Sequence, residues 1–379
     1  MDRGGPSGTT ISHLLPCAMI DESLVAKARA AAEVIAPLAP RIEKERRLPD
    51  EAVRALVDAR VFKHCVPRAL GGEDAHAATT LAMIETIARA DGSAGWCAMI
   101  GSTSALISRF LDETTAREVF GPADAIACGV FAPMGRATPV DDGKAYRVSG
   151  RWPFASGCEH SGWRMGGAVI GDDFTNVKSF LFRADETRII DTWDTSGLRG
   201  TGSHDLEVTD VVVPKERVFS LVQGDTPFFG LLAAGVAAVG LGIARAAVDA
   251  FVDLAKTKRP QGSKRTLAHR ETTQLDVARA EARLSAARAL LFAAIEARET
   301  DLVSRAKLRL AACHAAEEAA AVTTLVYQAG GGSVIYAKHP LQRHFRDAHV
   351  VTQHVMVGSA AATMAGRILL GVETDTTLL

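Results

Sequence analysis

The sequence predicts a mainly helical chain with a central antiparallel β-domain, in the order α, β, α. Three observations carry this. Hydrophobic residues make up 47% of the 379, yet only 6% are aromatic, and alanine supplies much of the rest, as in closely packed helices. Helical periodicity fills both ends of the chain, and strict alternation is confined to the middle. That order excludes a sheet built from βαβ units. At ~150 residues per domain the length suggests two or three units. The expected division is a helical domain over 1–118, a β-domain over 119–222 and a C-terminal four-helix bundle over 223–379. A chain of this size buries about 75% of its extended surface and needs no disulfide or metal to hold it together.

After a leader bearing Gly, Ser and Pro, Asp21 or Ser23 is placed to cap a helix through Val25, Ala28, Ala32 and Ile35, ended by Pro37 and Pro40. Pro49 suits the first turn of the next helix, with Val53, Leu56 and Val57 on one face. Thr79–Arg89 and Ser93–Phe110 repeat the pattern. Alternation then marks strands at Ala145–Ser149, Lys178–Phe182 and Asp205–Val213. The turn clusters Asp141–Gly143, Gly171–Asp173 and Gly200–Ser203 separate them. From Phe228 onward four long helical stretches follow, at 228–255, 270–298, 301–329 and about 339–370.

Lys and Arg number 43 against 44 Asp and Glu, a formal net charge of -1. No surplus of cations is available to neutralise phosphates, so a nucleic-acid partner is not expected. No uninterrupted apolar run reaches ~20 residues. The longest candidate, 228–255, carries Arg245, Asp249 and Asp253 on one face, so no membrane span is expected. Residues 1–16 lack the basic and apolar regions of a secretory signal. The six cysteines, at 17, 65, 97, 128, 158 and 313, form no C-x-x-C pair or disulfide framework and read as isolated thiols of a reducing compartment, the cytoplasm.

Gly240-Leu-Gly242 lies within a helical pattern, with no strand before it, and reads as close helix packing rather than a dinucleotide site. Gly200-Thr-Gly-Ser203 lacks the Lys of a phosphate loop. His339, His344, His349 and His354 recur every five residues. Five steps turn ~140° around a helix, so the four cannot share a metal, and no metal is expected. Lys256 to Arg270 holds six cations and no acid at a break between helices. This is either a solvated loop or a phosphate clamp. Gly330-Gly-Gly332 after Gln328 marks a helix end open to a ligand, or a plain C-cap. The densest cluster is Gly150-Arg-Trp-Pro-Phe-Ala-Ser-Gly157, where the aromatics suit a core and the Ser-Gly end suits a flat heteroaromatic ring.

Together Ala132-Pro-Met-Gly135, Gly150 to Gly157, Trp193-Asp-Thr-Ser-Gly-Leu-Arg-Gly-Thr-Gly-Ser203 and Arg346-Asp-Ala348 resemble the acyl-CoA dehydrogenase fold, from about residue 25 to 370. More narrowly, they resemble its flavin-dependent monooxygenase branch, the oxygenase components of two-component aromatic hydroxylases such as the 4-hydroxyphenylacetate and steroid-ring phenol hydroxylases. Many of the dehydrogenases carry a catalytic Glu shortly after Arg-Asp-Ala. Here that stretch, His349 to Gly358, has no carboxylate to take a proton from a thioester, which favours the hydroxylases. An acyl-CoA dehydrogenase with its base elsewhere is the alternative.

The resemblance implies a separate NAD(P)H-flavin reductase that delivers reduced flavin, FMNH2 or FADH2. With O2 the flavin forms a C4a-hydroperoxide, which oxygenates an aromatic or polycyclic small molecule in a dry pocket. It places Ser156 by the flavin N5, and His354, with His349 as the alternative, near the reacting oxygen. Trp152 and the backbone of Phe131, Ala132 and Pro133 would flank the ring. Arg259, Lys264, Arg265, Gln328, Gly331 and Gly332 would hold the phosphate end across a subunit boundary of a homotetramer. The substrate pocket would include Trp96 and Ser104. Phenol hydroxylases of this branch often have a histidine at the position of Ser104. A serine there means that another group activates a phenol, or that the substrate is not a simple phenol, which keeps N- or S-oxygenation open.

Overall fold

The computed structural model describes residues 19–221, 228–297 and 301–379. The leader 1–16, Cys17, the boundary expected at 222–223 and the helix end expected at 298 lie outside the described residues. Six helices come first: α1 (Glu22–Ile35), α2 (Ala39–Glu45), α3 (Asp50–Asp58), α4 (Ala77–Ala90), α5 (Gly92–Ser104) and α6 (Glu113–Phe120). Asp21 caps α1, its carboxylate accepting from Ser23 N at 2.9 Å, and Asp91 caps α5 by accepting from Ala94 N at 2.9 Å. Each satisfies an amide that the first helical turn leaves open.

Seven strands follow: β1 (Ala127–Val140), β2 (Ala145–Trp152), β3 (Trp163–Ile170), β4 (Val177–Arg183), β5 (Arg188–Ile190), β6 (Asp205–Pro214) and β7 (Val218–Phe219). They form one sheet in the order β5-β6-β2-β1-β3-β4-β7. The expected antiparallel domain is mixed, because β1 and β3 run parallel while the other neighbours are antiparallel. The β1–β2 hairpin returns the chain to the start of β1. There β3 begins with Trp163 opposite Ala127, so it sets out in the same direction as β1. Sequence alternation missed β1 and β3 for separate reasons: glycines and prolines interrupt β1, and β3 is buried along almost all of its length.

Five helices complete the chain: α7 (Phe228–Thr257), α8 (Glu271–Glu296), α9 (Leu302–Gly330), α10 (Pro340–Val351) and α11 (Ser359–Leu369). By length and composition α7 is apolar enough to cross a membrane, but most of its apolar stretch is buried inside the fold, against α4, α5, α9 and α10. Its Gly242 does serve close packing: a Cβ there would lie 2.4 Å from Glu85 O and 2.7 Å from Ala88 Cβ of α4. The helix expected over 339–370 is two helices. Thr352 turns its hydroxyl back to His349 O at 2.8 Å, and the chain bends to bury Met356 and Val357. The four spaced histidines therefore do not share one helix. His339 caps α10, His344 and His349 lie on it, and His354 sits in the turn beyond.

A buried tie joins α10 to the β-domain. Asp347 accepts from Leu198 N at 2.6 Å with only 1% of its surface exposed. Burial, opposed by this hydrogen bond and by Arg343 and reinforced by nearby Asp91 and Glu43, raises its pKa from 3.8 to about 7. Carboxyls buried this way favour their neutral form.

Two predictions follow from these contacts. Gly242→Ala should lower stability by about 1–3 kcal/mol through overpacking, read from thermal or denaturant melts. Asp347→Asn keeps an acceptor for Leu198 but cannot ionise. The folded wild type holds a proton that its unfolded chain releases, so its stability should fall relative to the variant as pH rises from about 4 to 7. Melting curves of both proteins should approach each other at the acid end and separate toward neutrality. A constant offset would show that Asp347 does not titrate in that window.

Candidate active site

The strand β2 stops at Trp152, and the next residues turn sharply. Phe154 takes φ +67° and Gly157 φ +74°. A left-handed backbone is uncommon for a bulky residue and marks a conformation that its surroundings impose. The imposing partner is the loop 198–204: Ala155 N donates to His204 O at 3.0 Å and Gly157 N to Thr201 O at 2.9 Å. This arrangement carries Ser156 inward and Phe154 outward. Phe154 is 67% exposed and stands edge-on to Trp193, ring centroids 6.2 Å apart.

Ser156 lies within a line of polar groups. Trp96 Nε1 on α5 donates to Ser156 Oγ at 2.9 Å. Ser156 Oγ lies 2.7 Å from Ser203 Oγ, which lies 2.7 Å from Thr201 Oγ1. Thr201 Oγ1 donates to Leu198 O at 2.9 Å. His354 joins through Trp96, its ring edge-on to the indole with centroids 5.4 Å apart. The structure thus gathers Ser156, Trp96 and His354, three of the residues singled out from sequence.

Burial lowers the His354 pKa to about 4, helped by Arg309, so the imidazole is neutral at pH 7. Its Nδ1 accepts from Met356 N at 3.3 Å, which leaves the proton on Nε2 as a donor. His349 is placed elsewhere. Its Nδ1 donates to Phe345 O at 2.7 Å, its ring packs 4.3 Å from that of Phe345, and Nε2 faces Thr324 on α9 at 3.4 Å. No hydrogen bond or ring contact among the described residues joins it to Ser156 or Trp96, so it belongs to the α9–α10 interface.

Trp152 also departs from expectation. It is 1% exposed, its Nε1 donates to Gly167 O at 2.8 Å, and a Cβ on Gly135, Gly150 or Gly166 would lie 2.5–2.6 Å from its ring. It fills the β-domain interior and offers no face to a ligand. Phe154, passed over in the sequence as core, is the aromatic that faces out of this turn. The turn after Trp152 sends the two aromatics to different surroundings, one buried and one exposed.

Between Val130 and Gly135 the β1–β3 pairing loses register, and β1–β2 pairing starts only at Arg136. Phe131, Ala132, Pro133 and Met134 therefore have no ladder partner. Phe131 packs edge-on against Phe229 of α7 at 5.2 Å, and Met134 is exposed. Ser104 ends α5, buried, with no hydrogen-bond partner for its hydroxyl among the described residues.

The cation loop and the glycine corner come together at a second place. Lys258 Nζ donates to Gly330 O at 2.7 Å, which closes the end of α9. Arg259, Lys264, Arg265, Gln328, Gly331 and Gly332 are exposed around it, as are Ile335 and Tyr336. No hydrogen bond or ring contact among the described residues links this corner to Ser156 or His354.

The donor set beside Ser156 fits a flavin. Unladdered backbone at 131–134 can match the alternating donors and acceptors along a flat heteroaromatic edge, and the turn after Trp152 offers an outward aromatic, Phe154, and the hydroxyl oxygen of Ser156.

Known proteins resemble this chain over most of its length. The acyl-CoA dehydrogenase N-terminal domain matches residues 21–121, and the acyl-CoA dehydrogenase C-terminal domain matches residues 234–359. The chain is 33% identical to indole-3-acetate monooxygenase of Acinetobacter baumannii, over 85% of this chain and 87% of that protein. It is 31% identical to the oxygenase component of an FADH(2)-dependent resorcinol hydroxylase of a Rhizobium species, over 92% and 94%. Among solved structures, XiaF from a Streptomyces species, in complex with FADH2 and glycerol, superposes with a TM-score of 0.87 at 25% identity, over 94% of this chain and 96% of that one. Fold and likeness converge: the chain belongs to the acyl-CoA dehydrogenase family and, within it, to the flavin-dependent monooxygenases that act as the oxygenase component of a two-component system, with reduced flavin supplied by a separate reductase.

Proposed function

We propose that this oxygenase hydroxylates an electron-rich aromatic or polycyclic small molecule that need not be deprotonated first, of the indole kind that its relatives' names carry. The observation that carries the proposal is the meeting of Ser156, Trp96 and His354, in a chain whose β1 leaves the backbone of Phe131 to Met134 without ladder partners. Bound reduced flavin supplies the electrons that activate O2 for transfer of one oxygen atom. The chain's own residues do the rest. The 131–134 backbone holds the ring edge, and Phe154 rather than Trp152 supplies the aromatic contact. Ser156 fixes the ring's polar edge from the buried side.

His354, neutral and protonated on Nε2, donates to an oxygen of the substrate or co-substrate and steadies charge that develops there. Phe131, Phe229 and Trp96 keep the surroundings apolar, which limits the access of water. Ser104 offers a hydroxyl for orienting the substrate. A hydroxyl is a poor base at neutral pH, which favours a ring already rich in electrons over a phenol that must ionise. Arg259, Lys264, Arg265, Gln328, Gly331 and Gly332 form the phosphate-end subsite for a neighbouring subunit's flavin in a homotetramer, with Ile335 and Tyr336 at the contact.

Three measurements test this reading. Given a generic flavin reductase, NADH and labelled O2, the protein should convert an indole to a product carrying one labelled atom. Flavin reduction by an acyl-CoA would instead mark a dehydrogenase, and label on sulfur or nitrogen would mark heteroatom oxygenation. Ser156→Ala removes the acceptor of the buried Trp96 N–H, at a cost of about 1–3 kcal/mol, and should raise the share of turnover lost as hydrogen peroxide. His354→Ala should cut hydroxylation by roughly 100-fold with little change in flavin affinity; equal loss of both would make its role structural.

A further inference from the structure

We infer that the hydroxyl line behind Ser156 has one direction, which makes Ser156 an acceptor and selects the reduced state of the flavin. This rests on the flavin reading above. The direction follows from hydrogen-bond bookkeeping. An indole N–H only donates and a carbonyl only accepts. Thr201 Oγ1 must therefore spend its single proton on Leu198 O. It then accepts from Ser203, so the Ser203 proton is also committed. Ser203 in turn accepts from Ser156, and Ser156 accepts from Trp96. Reversing the line would set two oxygen lone pairs against each other at Thr201 and Leu198. All four contacts are satisfied only when every hydroxyl proton points away from the site.

Ser156 is left with one lone pair and no free hydroxyl proton, and its backbone N–H is already given to Phe154 O at 2.9 Å. Reduced flavin carries a hydrogen on N5 and donates there; oxidised flavin has a bare N5 and accepts. The lone pair of Ser156 complements the first and opposes the second. Ser203 and Thr201 are then positioning residues that set redox preference without touching the ring. The line is anchored where Leu198 N donates to Asp347 and Gly200 N donates to Ser93 Oγ at 3.1 Å, so the loop cannot shift to release it.

The test is equilibrium titration of the full chain with one flavin, oxidised in air and dithionite-reduced without oxygen. Wild type should bind the reduced form more tightly. Ser203→Ala frees the Ser156 proton to serve a bare N5, so the reduced-over-oxidised preference should fall by about five- to ten-fold, chiefly through tighter oxidised binding. Ser203→Thr, which preserves the line, should restore it. Ser203→Cys fills similar space but accepts weakly, and should also lower the preference if the alanine variant does not fold. An unchanged preference in the variants, or a wild type that favours oxidised flavin, overturns the inference while leaving the flavin site intact. A wild type that binds neither form overturns the flavin reading and this inference with it.

Discussion

The loop 197–204 is the constraint on which the rest of the site depends, because three parts of the chain grip it where almost no space is left. A Cβ on Gly197 would lie 2.6 Å from the backbone of Arg346 on α10, and one on Gly200 would lie 2.1 Å from Ile42 of α2. Between them Leu198 takes φ +50° and gives its N–H to the buried carboxyl of Asp347, while Ser93 of α5 accepts from Gly200. Two ion pairs guard the same junction, Arg46 with Asp191 at 2.7 Å and Arg346 with Glu43 at 2.8 Å. With backbone held at this many points, the hydroxyls of Thr201 and Ser203 have little freedom, and Ser156 inherits their order.

That rigidity suits the chemistry of the family. An oxygenase has to admit flavin, O2 and substrate, yet keep water from the reacting atoms. Apolar α7 packs Phe229 against Phe131, and Trp96 joins the β-domain hydroxyls to the turn that carries His354. Trp96 acts at both of its ends: its indole N–H starts the hydroxyl line and its ring meets the imidazole edge-on. The few polar groups present each have an assigned proton, an arrangement that costs nothing to reorganise when charge develops.

Much of this was legible in the chain. Asp21 announced its helix because a short carboxylate before an apolar periodic run has an open amide to satisfy. β2, β4 and β6 showed themselves by alternation. β1 and β3 did not, one broken by glycine and proline and the other buried on both faces. Ser156 and His354 were singled out within distinctive stretches and Trp96 through the family resemblance, and the fold brings the three together. The exchange of Trp152 for Phe154 was not legible, since either aromatic suits a core and only the turn after Trp152 sends one of them outward. His349 and His354 also looked equivalent, and only the break after α10 sent one toward α9 and the other toward Trp96.

By itself the sequence determined the α–β–α order, the absence of a carboxylate between His349 and Gly358, and the supply of hydroxyls, cations and glycines from which a flavin site is made. These follow from local periodicity and residue chemistry, which need no knowledge of distant partners. The tertiary structure decided which aromatic faces outward, which imidazole nitrogen keeps its proton, and which way the hydroxyl protons of Ser156, Ser203 and Thr201 point. Most of these rest on contacts between residues tens to more than a hundred positions apart, such as Trp96 with Ser156 and Leu198 with Asp347, and the local bonds of His354 and Thr201 form only where the fold has set their turns. A hydrogen bond acquires its direction only when both ends are in place.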